Sequence, residues 1–174
     1  MKPVIVMDTR EKDGKKQHIT DAFERLGLKT IRSKLYCGDY TLLNDQSVCI
    51  DVKQGLQEVY SNLIGEHTRF REECVRARDN GIRLIVLIEE ERVRTVEDVE
   101  RWTNPRQIIY ERMKEQGKQT AKAPPVSSKR LMGIMNVMTE NYGVEWRFTP
   151  KERCGDTIWK ILEASHYGGP EIPD

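Results

Sequence analysis

"GDYTLLNDQSVCIDVKQ", Gly38 to Gln54, is the stretch on which the reading of the chain turns. It has the form of a β-hairpin: Tyr40 to Leu43 and Val48 to Val52 are strand-like, and Asn44, Asp45 and Gln46 make a polar turn between them. Yet the second run carries Asp51 and Lys53, and burying an unpaired charge is costly. Side chains alternate along a strand, so Cys49, Asp51 and Lys53 share one face while Val48, Ile50 and Val52 share the other. A three-residue turn then sets Leu43 opposite Ser47, Thr41 opposite Cys49, and Asp39 opposite Asp51. Two carboxylates and a lysine meet on one patch. Like charges facing each other repel, which disfavours the hairpin unless a cation lies between the aspartates. Hard oxygen ligands of this kind suit Mg²⁺ or Mn²⁺, and a lysine beside such an ion can position water or neutralise charge on a phosphorane. That is the chemistry of phosphodiester hydrolysis. Alternation alone leaves a second reading open, in which Asp51 and Lys53 are solvated on an edge strand and Asp39 is a turn former after Gly38.

Upstream of the hairpin, Val4 to Met7 is a buried-strand pattern that delivers Asp8 at its C-terminal end. Ile19, Ala22, Phe23 and Leu26 recur at helical spacing before Gly27, and a strand runs through Thr30 to Leu35. Downstream, Leu56, Val59, Tyr60, Leu63, His67, Phe70, Cys74 and Ala77 trace one face of a single long helix ending near Asn80 and Gly81. This spacing puts His67 among packed residues. Leu84 to Ile88 is a continuous apolar strand, the pattern of a sheet covered on both faces, and Glu89, Glu90 and Glu91 close it. Asn104 and Pro105 start a helix, Leu131, Ile134, Met135 and Met138 mark another, Val144 to Phe148 is a strand, and Thr149 with Pro150 precedes a last helix. "QGKQTAKAPPVSS", Gln116 to Ser128, lacks apolar periodicity and reads as a flexible loop.

The 174 residues suffice for one domain, with a core over about 3–91 and a helical and strand extension over about 104–167. With 29 Lys+Arg against 28 Asp+Glu, the net charge of +1 makes no case for nucleic acid, so any such case is local. Asp8, Arg10, Glu11 and Lys12 interrupt the only early apolar run, and no segment approaches membrane-spanning length, so a cytoplasmic protein is expected. Cys37, Cys49, Cys74 and Cys154 show no CxxC spacing or His-rich neighbourhood; the expectation is free, mostly buried thiols and neither a zinc site nor a disulfide. His18 and His166 stand isolated. "TREKDGKK" after the first strand holds one glycine, which sets aside a nucleotide-binding loop.

"DTRE" at Asp8 to Glu11, "GDY" at Gly38 to Tyr40, "IDVK" at Ile50 to Lys53, "RF" at Arg69 and Phe70 and "LIVLIEE" at Leu84 to Glu90 stand in order and at similar spacing to the pattern of XPF-type nuclease domains. The chain thus resembles the PD-(D/E)xK restriction-endonuclease-like superfamily, and "APPVSSKRLMGIMNVMTENYGVEWRF" looks like its stand-alone bacterial and phage members. The resemblance implies an α/β fold with a mixed central sheet flanked by helices. It implies a Mg²⁺- or Mn²⁺-dependent DNA endonuclease acting on branched or flapped DNA in replication, repair or recombination, in a bacterial cell or phage-infected host. It also implies dimerisation or a DNA-targeting partner. By position, Asp39, Asp51 and Asp8 match the metal carboxylates, Lys53 the catalytic lysine, Glu11 the second acid of the first motif and Arg10 its arginine. Two departures stand out. The usual Glu-Arg-Lys is Asp51-Val52-Lys53, and the acid four positions beyond the lysine is Gln57, with Glu58 beside it. The alternative function is a non-catalytic DNA-binding or partner subunit on a nuclease fold; the acid set at Asp8, Asp39 and Asp51 favours the enzyme.

Phosphate neutralisation supplies much of nucleic-acid affinity. Arg69 with Arg76, and Arg71 with Arg78, flank the apolar face of the long helix. Lys114, Lys118, Lys122, Lys129 and Arg130 face only Glu115 in the stretch that spans the loop, which is expected to wrap DNA.

Overall fold

The computed structural model describes residues 2–10, 14–118 and 123–168. Glu11 and Lys122 lie outside the described residues. β1 (Ile5–Asp8) is buried throughout and sits inside a six-stranded sheet. On one side it pairs in parallel with β2 (Thr30–Ser33), an exposed edge strand, and on the other with antiparallel β3 (Tyr40–Leu42). β3 is antiparallel to β4 (Asp45–Lys53), which runs parallel to β5 (Arg83–Glu89), itself parallel to β6 (Glu145–Thr149). The strand order is β2-β1-β3-β4-β5-β6, the mixed sheet expected, and helices cover both faces.

The hairpin departs from the expected geometry at its tip. Its turn is Leu43 and Asn44, and Leu42 pairs with Asp45 where a three-residue turn would have set Leu43 opposite Ser47. A register shift between Tyr40 and Leu42 then brings Tyr40 opposite Ile50. An irregularity of this kind lets a tight turn coexist with a fixed register at the far end of the ladder.

One face of the sheet carries Cys49, Leu84, Val86 and Ile88 under α2 (Leu56–Tyr60), α3 (His67–Asp79) and α5 (Ser128–Tyr142). The other carries Val48, Ile50, Val52, Ile85 and Leu87 under α1 (Gln17–Arg25) and α6 (Cys154–Tyr167). α4 (Pro105–Glu115) begins as expected, with the Asn104 side chain accepting the Arg106 N–H at 3.0 Å, but buries none of its residues. The expected single helix over Leu56 to Ala77 is two helices joined by a π-turn at Ser61–Gly65. Leu63 and Phe70 are seven residues apart, so the apolar phase survives the interruption and the sequence does not betray it. His67, at the restart, is exposed rather than packed, because the break at Glu66 turns the first residues of α3 outward. No described helix is long and apolar enough to cross a membrane.

Candidate active site

The acidic segments of the hairpin come to the end of the sheet where β1 delivers Asp8. Asp8 donates its N–H to the Asp39 carbonyl at 2.9 Å, and Asp39 donates its own to the Ile50 carbonyl at 2.8 Å, so backbone bonds tie all three acidic segments together. The preceding Gly38 has φ +65°, and a Cβ there would lie 2.8 Å from Cys49 Sγ and 3.0 Å from the Ile50 oxygen, which demands glycine. Its N–H donates to Glu73 Oε1 of α3 at 2.7 Å.

Each aspartate has its own cation. Asp39 Oδ2 accepts from Lys16 Nζ at 2.8 Å and from the Val52 N–H at 2.9 Å. Asp51 is 4% exposed. Lys53 Nζ donates to its Oδ1 at 3.0 Å and sits 2.7 Å from Oδ2, outside hydrogen-bond geometry at that atom. Burial pushes the Asp51 carboxyl up to about 7; Lys53 opposes that rise, and Asp39 and Glu73 add to it. Burial lowers the Lys53 ammonium, but Asp51 more than offsets this and its value ends above the ordinary one. The cation that two facing carboxylates call for is thus shared between two lysines, of which only Lys53 was legible in the hairpin.

Asp8 is spent differently. Its Oδ1 accepts from the Arg10 N–H at 2.7 Å and Arg10 Nε at 2.8 Å, and its Oδ2 from Arg10 Nη2 at 2.9 Å and the Leu35 N–H at 2.7 Å. Against the cost of burial, these bonds hold the carboxyl below its usual value. A carboxylate offers about four acceptor sites, and all four are filled. Arg10 is an organiser of this carboxylate.

Lys53 opens onto a cleft of about 360 Å³, together with Glu58, Ser61, Asn62, Glu66, Arg69, Phe70 and Glu73. Lys53 lies 5.9 Å from the centre of the Phe70 ring, which fixes the ammonium at the wall. Glu58, next to Gln57, lines the cleft, and its Oε2 also accepts the Gln54 N–H at 2.7 Å. Glu73, absent from the sequence reading, sits three residues after Phe70 at the margin of the apolar stripe, the one signal that could have marked it.

The basic residues divide. Arg69 is exposed on the cleft rim, and Arg10 is half exposed beside the acids. Arg76 donates to the Tyr36 carbonyl at 3.4 Å. Lys118, Lys129 and Arg130 are exposed, with Lys129 Nζ 3.5 Å from Glu100. Arg106, also missed, donates to Ser61 Oγ at 2.8 Å and stacks over Tyr60, adding a cation from α4 at the cleft. The four cysteines are free and buried, as expected. The structure also joins His18 to Glu89, which the sequence left unconnected.

A divalent ion fits this donor set. Asp51 keeps a buried oxygen that accepts no hydrogen bond among the described residues, and Asp39 lies close enough to raise its neighbour's proton affinity. Among curated proteins none matches the chain. Two solved structures of XPF from Aeropyrum pernix share its fold. One covers 94% of this chain and 65% of its own, at 19% identity and a TM-score of 0.61. The other, a complex with DNA, covers 99% of this chain and 68% of its own, at 20% identity and a TM-score of 0.61. The chain therefore spans less than two thirds of the first of these relatives. The ERCC4 domain profile matches residues 7–158, most of the sequence and all of the acidic cluster, and the chain belongs to the ERCC4 domain family.

Proposed function

We propose that the chain is a metal-dependent DNA endonuclease of the ERCC4 domain family, using Mg²⁺ or Mn²⁺ and acting on branched or flapped DNA. The observation that carries this reading is Asp51, a buried carboxyl raised to about 7 beside Lys53 on the wall of an open cleft. A raised acid with a specific charge partner in a cleft is a candidate for chemistry. The Aeropyrum pernix XPF solved with DNA supports nucleic acid as the substrate class.

In this reading Asp39 and Asp51 hold the ion, which when bound supplies Lewis-acid activation of water and offsets phosphate charge. Asp39 must then release Lys16, and Asp51 must give up its proton. Lys53, fixed at the cleft wall by Asp51 and Phe70, meets the charge that builds on the phosphate. Asp8 contributes by positioning Arg10 and the chain that leads to Glu11, and takes an ion only by surrendering bonds from Arg10 or Leu35. Glu73 holds Gly38, and through it Asp39, in place. Arg10, Arg69, Arg76, Lys118, Lys129 and Arg130 supply phosphate contacts along the rim and the neighbouring helices. Lys122 belongs with them in sequence.

The test is cleavage of end-labelled flap, splayed and duplex DNA with either ion, by the wild type and by Asp51→Asn. Metal-dependent cutting that falls at least about 1000-fold in the variant, with DNA binding retained, supports the reading. Binding of branched DNA without cutting by the wild type under either ion would leave a targeting subunit in its place.

A further inference from the structure

The opposite face of the sheet carries a second constellation. β5 alternates, so Ile85 and Leu87 face α1 and α6 and Glu89 follows them to the same side. There its side chain, 4% exposed, places Oε1 2.5 Å from Nε2 of His18, a residue of the first turn of α1. Cys154, the first residue of α6 and fully buried, completes the group. The imidazole nitrogen, the carboxylate oxygen and the sulfur all lie within 4.8 Å of one another.

We propose that His18, Glu89 and Cys154 form a zinc site, separate from the Asp39 and Asp51 cluster. The donor set selects the ion. Mg²⁺ and Ca²⁺ take oxygen ligands, whereas a thiolate, an imidazole and a carboxylate together suit Zn²⁺. Tetrahedral zinc with these bond lengths keeps neighbouring donors about 3.3–3.6 Å apart. The observed donor separations start at 2.5 Å and stay within 4.8 Å, a range that brackets that spacing. Three protein ligands leave one position for water, and His18, about one fifth exposed, provides the way in.

Without the ion, the thiol keeps its proton, since burial and the Glu89 carboxylate both push it up. Forming the zinc–sulfur bond sends that proton to solvent, along with any proton that His18 Nε2 shares with Glu89. The ion then joins α1 and α6 to the end of β5. Its effect reaches the other face: α1 starts one residue after Lys16, whose ammonium holds Asp39, so zinc fixes the segment that neutralises the proposed catalytic acid.

The experiment uses tag-free, metal-stripped full chain titrated with Zn²⁺ and, separately, Co²⁺. The wild type is expected to bind zinc at a site that Asp51→Asn leaves intact, to melt at a higher temperature with zinc, and to give a thiolate-to-cobalt charge-transfer band in the near ultraviolet. His18→Ala, which removes a ligand about one fifth exposed without opening the core, is expected to weaken zinc binding more than about 100-fold, beyond the usual cost of losing a mere supporting partner. Cys154→Ser is expected to abolish the charge-transfer band, and Asp51→Asn to retain both band and affinity. A wild type without the band, or equal zinc affinity in wild type and His18→Ala, overturns the site. Loss of affinity in Asp51→Asn alone assigns the ion to the carboxylate cluster and overturns it as well.

Discussion

Asp51 and Lys53 are two residues apart on one strand, and that spacing alone puts them on one face. Period-two alternation depends only on the backbone being extended, which is why this part of the site was legible. The pairing of Asp39 with Lys16 was not, because it spans 23 residues and passes through the start of α1. The raised proton affinity of Asp51 has a measurable consequence. A folded value above the unfolded one means that its contribution to stability is present below the ordinary carboxylate value and is lost as pH rises through about 7. An ion at Asp51 must displace the same proton. Calorimetric Mg²⁺ affinity is therefore expected to climb by up to about tenfold per pH unit between about pH 6 and pH 7 and to level off above it, with protons released to buffer. Affinity flat across that window would remove Asp51 from the ion's ligands.

At the scale of elements, local rules succeeded where packing did not intervene. Asn104 with Pro105 at the start of α4, and Gly143 with φ +69° after α5, are boundaries that capping chemistry dictates. The π-turn at Ser61–Gly65 obeys no such local rule. Ser61 Oγ donates back to the Gln57 carbonyl at 3.0 Å, and the widened turn sets both Ser61 and Asn62 on the cleft wall. Gly155 shows how tightly elements are matched: a Cβ on it would lie 2.5 Å from Ala22 Cβ and 3.1 Å from the Ile19 oxygen, where α6 crosses α1. Gly155→Ala is expected to cost about 1–3 kcal/mol and lower Tm by roughly 2–10 °C in a calorimetric scan, since neither backbone can yield alone. Gly38→Ala is expected to cost more than about 1 kcal/mol, through both its positive φ and the contact with Cys49, and to reduce cleavage along with Tm. An unchanged melting curve in either variant would refute the tight contact.

For the whole molecule, the near-neutral balance of charge holds locally as well: the cleft that presents Lys53 and Arg69 is also lined by Glu58, Glu66 and Glu73, and Arg69 Nη1 donates to Glu66 Oε2 at 3.3 Å. Arg69 at the cleft rim and Arg106 over Tyr60 lie beside the acids, while Lys118, Lys129 and Arg130 are exposed on the α4 and α5 side. Affinity for DNA is expected to fall steeply with salt, and Arg69→Ala to reduce the slope of log K against log salt by about 1. Salt-insensitive binding, or an unaltered slope, would place the DNA elsewhere.

The alternating strand that carries Asp51 and Lys53, the apolar faces of α1, α3, α5 and α6, and a sheet buried on both sides can all be read from residue order, because periods of two and about 3.6 residues are local properties of an extended or helical backbone. Which charges neutralise one another depends on the folded chain. Lys16 reaches Asp39, Glu73 reaches Gly38, and His18 reaches Glu89 across 71 residues, and these contacts follow from strand order and helix crossing. Side-chain periodicity says which face a residue takes. What it meets there depends on the elements that the long-range packing lays against that face.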